Sequence, residues 1–139
     1  MHLRLGAAAG TAVLGAGMLI TAPPASAANP VTKFNITVGN TYTKGTITWY
    51  NRSITVTGEH KSVDPASCRG TTAFPLDAAG NELNIAPSPS AACGDSEGFG
   101  FTTSVSAPGG AATVRICLDY RATSSDFPSQ YLKCSRYGR

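Results

Sequence analysis

The sequence predicts an all-β protein, a small antiparallel β-sandwich or barrel of about six to eight strands with two disulfides. Three observations carry this. Short runs with apolar residues at every second position recur along the chain, separated by Gly, Pro, Asn and Asp turns. Beyond the N-terminal segment no stretch repeats its apolar residues at helical spacing between caps. The four cysteines, Cys68, Cys93, Cys117 and Cys134, are even in number and contain no CxxC, which is the pattern of a disulfide framework and not of a zinc or thioredoxin-like centre.

Taken in order, residues 1–27 read as an export signal. His2 and Arg4 form a weakly basic start, Leu5 to Ile20 is apolar and rich in Ala and Gly, and Ala25-Ser26-Ala27 offers small residues for cleavage. The apolar run is short for a membrane span and is followed by Pro23-Pro24. Residues 28–139 then form a single secreted β domain. Asn29-Pro30 leads into a strand at Val31 to Val38, where Phe34, Ile36 and Val38 alternate with Lys33, Asn35 and Thr37. Gly39-Asn40 is a turn.

The clearest element is a hairpin from Gly45 to Gly58. With Asn51-Arg52 as its loop, Trp49 faces Ile54, Ile47 faces Val56, Tyr50 faces Ser53 and Lys44 faces Glu59. Ile47, Trp49, Ile54 and Val56 then share one face. Thr46, Thr48, Tyr50, Ser53, Thr55 and Thr57 share the other, and a one-residue slip would scatter both sets. The strand continues weakly through Glu59, His60 and Lys61 to Asp64-Pro65, with His60 expected to face solvent. Cys68 to Phe74 is a weaker strand because of Gly70. Pro75 to Glu97 is rich in Pro, Ala, Ser and Gly; it reads as a long surface loop with at most a short strand near Leu83-Asn84-Ile85.

Gly98 to Ser106 alternates again, with Phe99, Phe101, Thr103 and Val105 on one face, and Ala107-Pro108-Gly109-Gly110 turns the chain. In Thr113 to Arg121, Val114, Ile116, Leu118 and Tyr120 point inward, and Arg115, Cys117 and Asp119 point outward. A loop at Ala122 to Gln130 precedes the last strand, Tyr131 to Tyr137. Neighbouring cysteines are expected to pair, Cys68 with Cys93 and Cys117 with Cys134, although four cysteines allow three connectivities.

The formal net charge of +3 is too small and too dispersed for a nucleic-acid or anionic-membrane binder. Arg115, Arg121, Lys133, Arg136 and Arg139 gather near the C-terminus, but Asp119 and Asp126 lie among them, so a solvated strand face is expected. No cofactor is indicated: Asp95 and Glu97 lack the ligand spacing of a calcium loop and read as solvated acids. His60 is the one histidine of the secreted part, and Glu-His-Lys reads as a solvent-facing strand segment and not as a general base. Catalytic residues are therefore expected to be absent.

Cys93-Gly94-Asp95-Ser96-Glu97-Gly98 resembles the Gly-Asp-Ser-Gly-Gly nucleophile segment of chymotrypsin-like proteases, and His60, Asp77 and Ser96 follow that family's order. Glu97 replaces the glycine after the serine in a loop that must line an oxyanion hole. The chain is also too short for two barrels, so a protease is rejected. Gly45-Thr46-Ile47-Thr48-Trp49-Tyr50-Asn51-Arg52-Ser53-Ile54, with Val114-Arg115-Ile116-Cys117-Leu118 and Leu132-Lys133-Cys134, resembles small secreted actinobacterial β-domain proteins of unassigned function. The resemblance implies an exported, disulfide-bonded β domain and assigns no residue a role. A looser similarity, of architecture alone, is to tendamistat-type α-amylase inhibitors, which present Trp, Arg and Tyr near a hairpin end. The expectation is a secreted, extracellular, monomeric binding domain without enzymatic activity. Its partner would be an extracellular protein or carbohydrate, met by Tyr50, Asn51 and Arg52. It would bind neither nucleic acid nor, after cleavage, membrane. The alternative is an inhibitor of an extracellular hydrolase, using that tip or the Pro87-Ser88-Pro89 loop.

Overall fold

The computed structural model describes residues 22–139. Most of the expected export signal lies outside the described residues; Ala22 to Pro30 is exposed and belongs to no regular element. Eight strands follow: β1 (Val31–Val38), β2 (Thr41–Trp49), β3 (Ser53–Lys61), β4 (Cys68–Leu76), β5 (Ala86–Pro87), β6 (Ser96–Ser104), β7 (Thr113–Arg121) and β8 (Gln130–Gly138). They form two four-stranded antiparallel sheets, ordered β1-β2-β3-β6 and β5-β4-β7-β8.

The hairpin has the register its alternation dictates: Trp49 pairs with Ile54, Ile47 with Val56 and Lys44 with Glu59. Ile47, Trp49, Ile54 and Val56 are all buried, facing Ala73, Val114, Ile116 and Leu118 of the second sheet. The Trp49 indole N–H donates to Thr32 Oγ1 at 3.0 Å, so the one polar atom of this large core residue is satisfied. Gly45 and Gly58 stand opposite each other so closely that a Cβ on either would come within 2.0–2.1 Å of a backbone oxygen of the facing strand. Phe34 and Phe99 flank this glycine pair in the same row across the sheet. At one side of the sandwich β1 meets β8, where Thr32 Oγ1 donates to the Gly138 carbonyl at 2.7 Å and Phe34 lies against Tyr137.

Two regions differ from the sequence expectation. β4 runs on through Pro75 to Leu76, nearly all of it buried. The segment after it is more than a surface loop. It folds back along β4 with its short strand at Ala86–Pro87 instead of Leu83–Ile85, and the Ser88 N–H bonds the Thr71 carbonyl at 2.7 Å. Arg69 and Ala92 exchange backbone bonds at 2.8 and 3.0 Å, and Cys93 is joined to Cys68. Ser88, Ala91 and Ala92 are consequently buried. Cys117 and Asp119, expected to point outward into solvent, lie on the outer face of β7 but are fully buried, Cys117 bonded to Cys134 and Asp119 enclosed by Arg121, Gly70 and Thr72.

Cys117 and Cys134 stand directly opposite on β7 and β8 and are disulfide-bonded. Two disulfides fit an oxidising, extracellular-type environment. Among the described residues no helix is long and apolar enough to cross a membrane.

Candidate functional site

Tyr50, Asn51 and Arg52 form the hairpin tip between β2 and β3. The hydrogen bonds that hold the tip run to its backbone. Tyr50 N–H donates to Ser53 O at 3.0 Å, and Val105 N–H donates to Arg52 O at 2.8 Å. Arg139 Nη2 donates to both Tyr50 O (3.2 Å) and Gly109 O (2.9 Å), clamping the tip to the β6–β7 turn. Gly110, at φ 87°, lets that turn approach: a Cβ there would lie 2.8 Å from Tyr50 O and 3.1 Å from Asn51 O. Tyr50, Asn51 and Arg52 are themselves exposed. The result is a fixed backbone displaying three free polar and aromatic side chains.

Beside the tip lies a shallow groove of about 370 Å³, lined by Asp77, Ala78, the Ala107–Ala112 turn and Arg139. Asp77 accepts from Asn81 N–H at 2.8 Å and Asn81 Nδ2 at 3.0 Å, which holds its carboxyl below the usual range. The groove thus carries one fixed anion, Asp77, and one cation, Arg139. A second depression of about 510 Å³ opens between β1 and β2 over Phe34, Gly45 and Tyr137, rimmed by Lys33 and Lys44.

His60 corrects the sequence reading. It is fully buried, stacked on Phe99 with ring centroids 4.8 Å apart, and its Nδ1 lies 3.2 Å from Thr71 Oγ1. Thr71 Oγ1 also meets Thr43 Oγ1 at 2.6 Å, while His60 Nε2 has no partner. Burial pushes the imidazole pKa down to about 4, against smaller opposing pulls from Glu97 and Asp119. The signal was present in the sequence: residue 60 has the same parity as Ile54 and Val56 and so falls on the inward face.

The protease-like order is not assembled. His60 is enclosed between the sheets, Ser96 is exposed beyond Lys61, and Asp77 borders the groove by the hairpin tip. Asp95 is exposed, as expected of a solvated loop acid, whereas Glu97 is half-buried and its carboxylate accepts from Ser90 Oγ. Among the described residues no group of His, Cys, Asp and Glu could hold a metal ion.

Arg121 is the second correction, since it is buried and not part of a solvated basic face. Its Nε donates to Asp119 Oδ1 at 2.9 Å, and its Nη2 donates to Asp119 Oδ2 at 3.2 Å. Nη1 reaches Ser88 O at 2.9 Å, and Nη2 also reaches Ser88 Oγ at 2.9 Å. Asp119 accepts in addition from Gly70 N–H (3.1 Å) and Thr72 Oγ1 (2.7 Å). Four hydrogen bonds to the Asp119 carboxylate and four of the five guanidinium protons of Arg121 are accounted for within the protein, which marks a structural clamp. Arg115 instead lies over the Phe74 ring and pairs with Glu82 at the surface.

Pro87-Ser88-Pro89 is also not a free loop. Ser88 is buried under Arg121, Pro87 is half-buried, and Pro89 alone is exposed. On the outer face of β2, β3 and β6 the threonines satisfy one another: Thr46 with Thr57 at 3.1 Å, and Thr55 with Thr102 at 2.7 Å. There too Tyr42 donates to Glu59, which pairs with Lys44 at 3.6 Å; these contacts, led by the tyrosine, lower the Glu59 pKa. That face is a closed side-chain network, whereas the hairpin tip has unengaged side chains on a fixed backbone. No family model matches the chain, and no curated protein or solved structure matches it.

Proposed function

We propose that the chain is an exported, non-enzymatic binding domain that engages a partner outside the cell through Tyr50, Asn51 and Arg52. One observation carries this reading: the fold fixes the tip's backbone through Ser53, Val105 and Arg139 and leaves its side chains exposed. A rigid loop with an aromatic and a guanidinium loses little conformational freedom on binding, and Tyr and Arg are the types that dominate binding energy at interfaces. Export is supported by the signal-like residues 1–27 and by the two disulfides. His60 bears on the non-enzymatic reading at one point alone: burial keeps this imidazole neutral at neutral pH and sealed from solvent, out of reach as a general base.

A second reading, inhibition of an extracellular hydrolase, draws on the same tip. A convex hairpin end backed by a charged groove has the shape to enter a substrate cleft. Incubation with insoluble cell-wall and storage polysaccharides, and then with a panel of hydrolases, separates the two. Sedimentation with a glycan, or capture of an extracellular protein, supports the binding domain; stoichiometric loss of hydrolase activity supports the inhibitor. In either case Tyr50→Ala and Arg52→Ala abolish the effect while the fold persists. Turnover of a substrate by the protein itself, or binding indifferent to both substitutions, refutes the proposal.

A further inference from the structure

Among the described residues β6 is the one long sheet edge without Lys, Arg or Pro; its single charge is the inward-pointing Glu97, which Ser90 Oγ engages near one end of the strand. β1 carries Lys33 and is closed off by β8, whose Lys133 Nζ reaches Thr37 O at 3.4 Å. β8 carries Lys133 and Arg136, and β5 is two residues long and contains Pro87. Lysine, proline and shortness are the usual protections of an edge. β6 has nine residues, Ser-Glu-Gly-Phe-Gly-Phe-Thr-Thr-Ser, with neither Lys, Arg nor Pro. Its register with β3 runs unbroken from Ser96 to Ser104, and among the described residues β3 is its only strand partner.

The backbone groups at this edge can be assigned. Just beyond one end of β6, Val105 N–H bonds Arg52 O; just beyond the other, Ser62 N–H bonds Asp95 O. Both pairs continue the β3–β6 register, so the odd-numbered residues of β6 bond β3. By antiparallel alternation the N–H and C=O groups of Ser96, Gly98, Gly100, Thr102 and Ser104 point away from β3. All five residues are exposed. Ser104 O receives Asn84 Nδ2 at 3.1 Å, which leaves Gly98 to Thr102 as the open stretch.

The glycines there have no internal cause. Neither Gly98 nor Gly100 has a positive φ. A Cβ on Gly98 would come no closer than 3.7 Å to Gly58 O, and one on Gly100 no closer than 3.5 Å to Thr57 Cγ2, both ordinary contacts. Gly45 and Gly58, by contrast, are required by the approach of their own strands. Glycine inside a strand weakens it and marks places where another backbone comes close.

We propose that two copies of this chain pair antiparallel through β6 about a two-fold axis at Gly100. The strand nearly mirrors itself about that residue. Gly100 faces itself, Phe99 faces Phe101 of the second copy, Gly98 faces Thr102, Ser96 faces Ser104, and the lone charge, Glu97, faces Thr103. Gly98, Gly100 and Thr102 fall in the hydrogen-bonded pairs. The half-buried Phe99 and Phe101 fall in the closer, non-bonded pairs on the inner face. A foreign peptide would draw its specificity from pockets for alternate side chains, and the glycine row offers none on the outer face. A second copy needs only the mirrored row. Such an interface is isologous and closes at two. Because the paired β6 strands run in opposite directions, so do the two β3 strands, and the two hairpin tips lie at opposite ends of the joined sheet. The dimer therefore bridges two partners; it does not grip one twice.

Sedimentation equilibrium on the folded, disulfide-bonded protein tests this, with Trp49 fluorescence reporting the fold of every variant. The expected wild-type result is a concentration-dependent dimer. Gly100→Pro removes an edge-facing N–H from each copy and no bond to β3, so it weakens the dimer about 30-fold through two lost hydrogen bonds. Gly100→Lys and Gly100→Glu each place like charges opposite one another and weaken it about two- to fivefold, and an equimolar mixture of the two restores association. A wild-type protein that stays monomeric into the millimolar range overturns the proposal. So does a dimer insensitive to all three substitutions, or an edge filled by another protein's peptide with no self-association.

Discussion

The two outer faces of this sandwich are built from the same alternation and have opposite fates. On the face of β1, β2, β3 and β6 the out-pointing side chains include threonines, Tyr42, Lys44 and Glu59 that pair across strands at the surface. On the face of β4 and β7 the out-pointing Cys68, Gly70, Thr72, Phe74, Leu76, Cys117, Asp119 and Arg121 are all buried: the two disulfides close over Cys68 and Cys117, Arg121 lies against Gly70 and reaches Ser88, and Arg115 and Tyr131 pack on Phe74. The first face needs only water. The second must satisfy every polar group internally, and it does so with an ion pair, Ser88 and a small cluster of Phe74, Leu76 and Cys117. A polar residue in an alternating strand is therefore a surface residue only where nothing returns to cover it.

The sharpest way to break this comparison is to remove one partner of the covered ion pair. Asp119→Ala leaves the Arg121 guanidinium buried without its counter-ion, and the expected loss is about 3–5 kcal/mol, enough to bring a domain of this size near unfolding. The double substitution Asp119→Ala with Arg121→Met recovers part of it. Urea unfolding followed by tryptophan emission measures both; a loss under about 1 kcal/mol for Asp119→Ala would mean that water reaches the covered face.

Trp49→Ala gives the benchmark from the inner core, at about 3–5 kcal/mol. Blue-shifted emission from native Trp49 that resists aqueous quenchers is the matching observation on the unmutated protein.

His60 supplies a smaller and pH-dependent effect. Its folded value of about 4 lies below the 6.5 of a free imidazole, so in that interval the unfolded chain binds a proton that the folded chain excludes. Stability is full above about pH 6.5 and falls as the pH is lowered. The loss levels off only below about pH 4, once the folded imidazole is protonated too, and pH 5 should be about 2 kcal/mol less stable than pH 7. His60→Leu should flatten the profile over this window in urea titrations at each pH.

At the bottom of the scale, Thr55→Val on the open face should change stability by no more than about 0.5 kcal/mol. Tyr50→Ala and Arg52→Ala at the tip should cost about 1 kcal/mol or less. If Thr55→Val costs as much as Asp119→Ala, the contrast between the faces collapses.

Elements whose partners lie nearby in the chain were legible. The hairpin register follows from the alternation on both sides of Asn51-Arg52, and the Cys117–Cys134 bridge follows from two neighbouring strands. The hairpin tip was legible as a place, since a polar turn between two apolar runs has to be exposed. Its rigidity was not, because Arg139 and Gly110 come from distant parts of the chain. His60 could have been placed by parity, but the charged neighbours Glu59 and Lys61 obscured it.

By itself, then, the sequence determined the all-β class and the inner faces of β1, β2, β3, β6 and β7, because a period of two and short loops are local properties; for the disulfides it offered neighbour pairing as one of three connectivities. Tertiary structure alone decided that Cys117, Asp119 and Arg121 form the floor of a second buried layer and that Ser88 seals it. The covering segment has no periodicity to announce where it lies. Its position is set by backbone bonds to Arg69 and Thr71, by the Cys93 tether and by Arg121, which reaches Ser88 from β7, and all of these are contacts with residues distant in the chain.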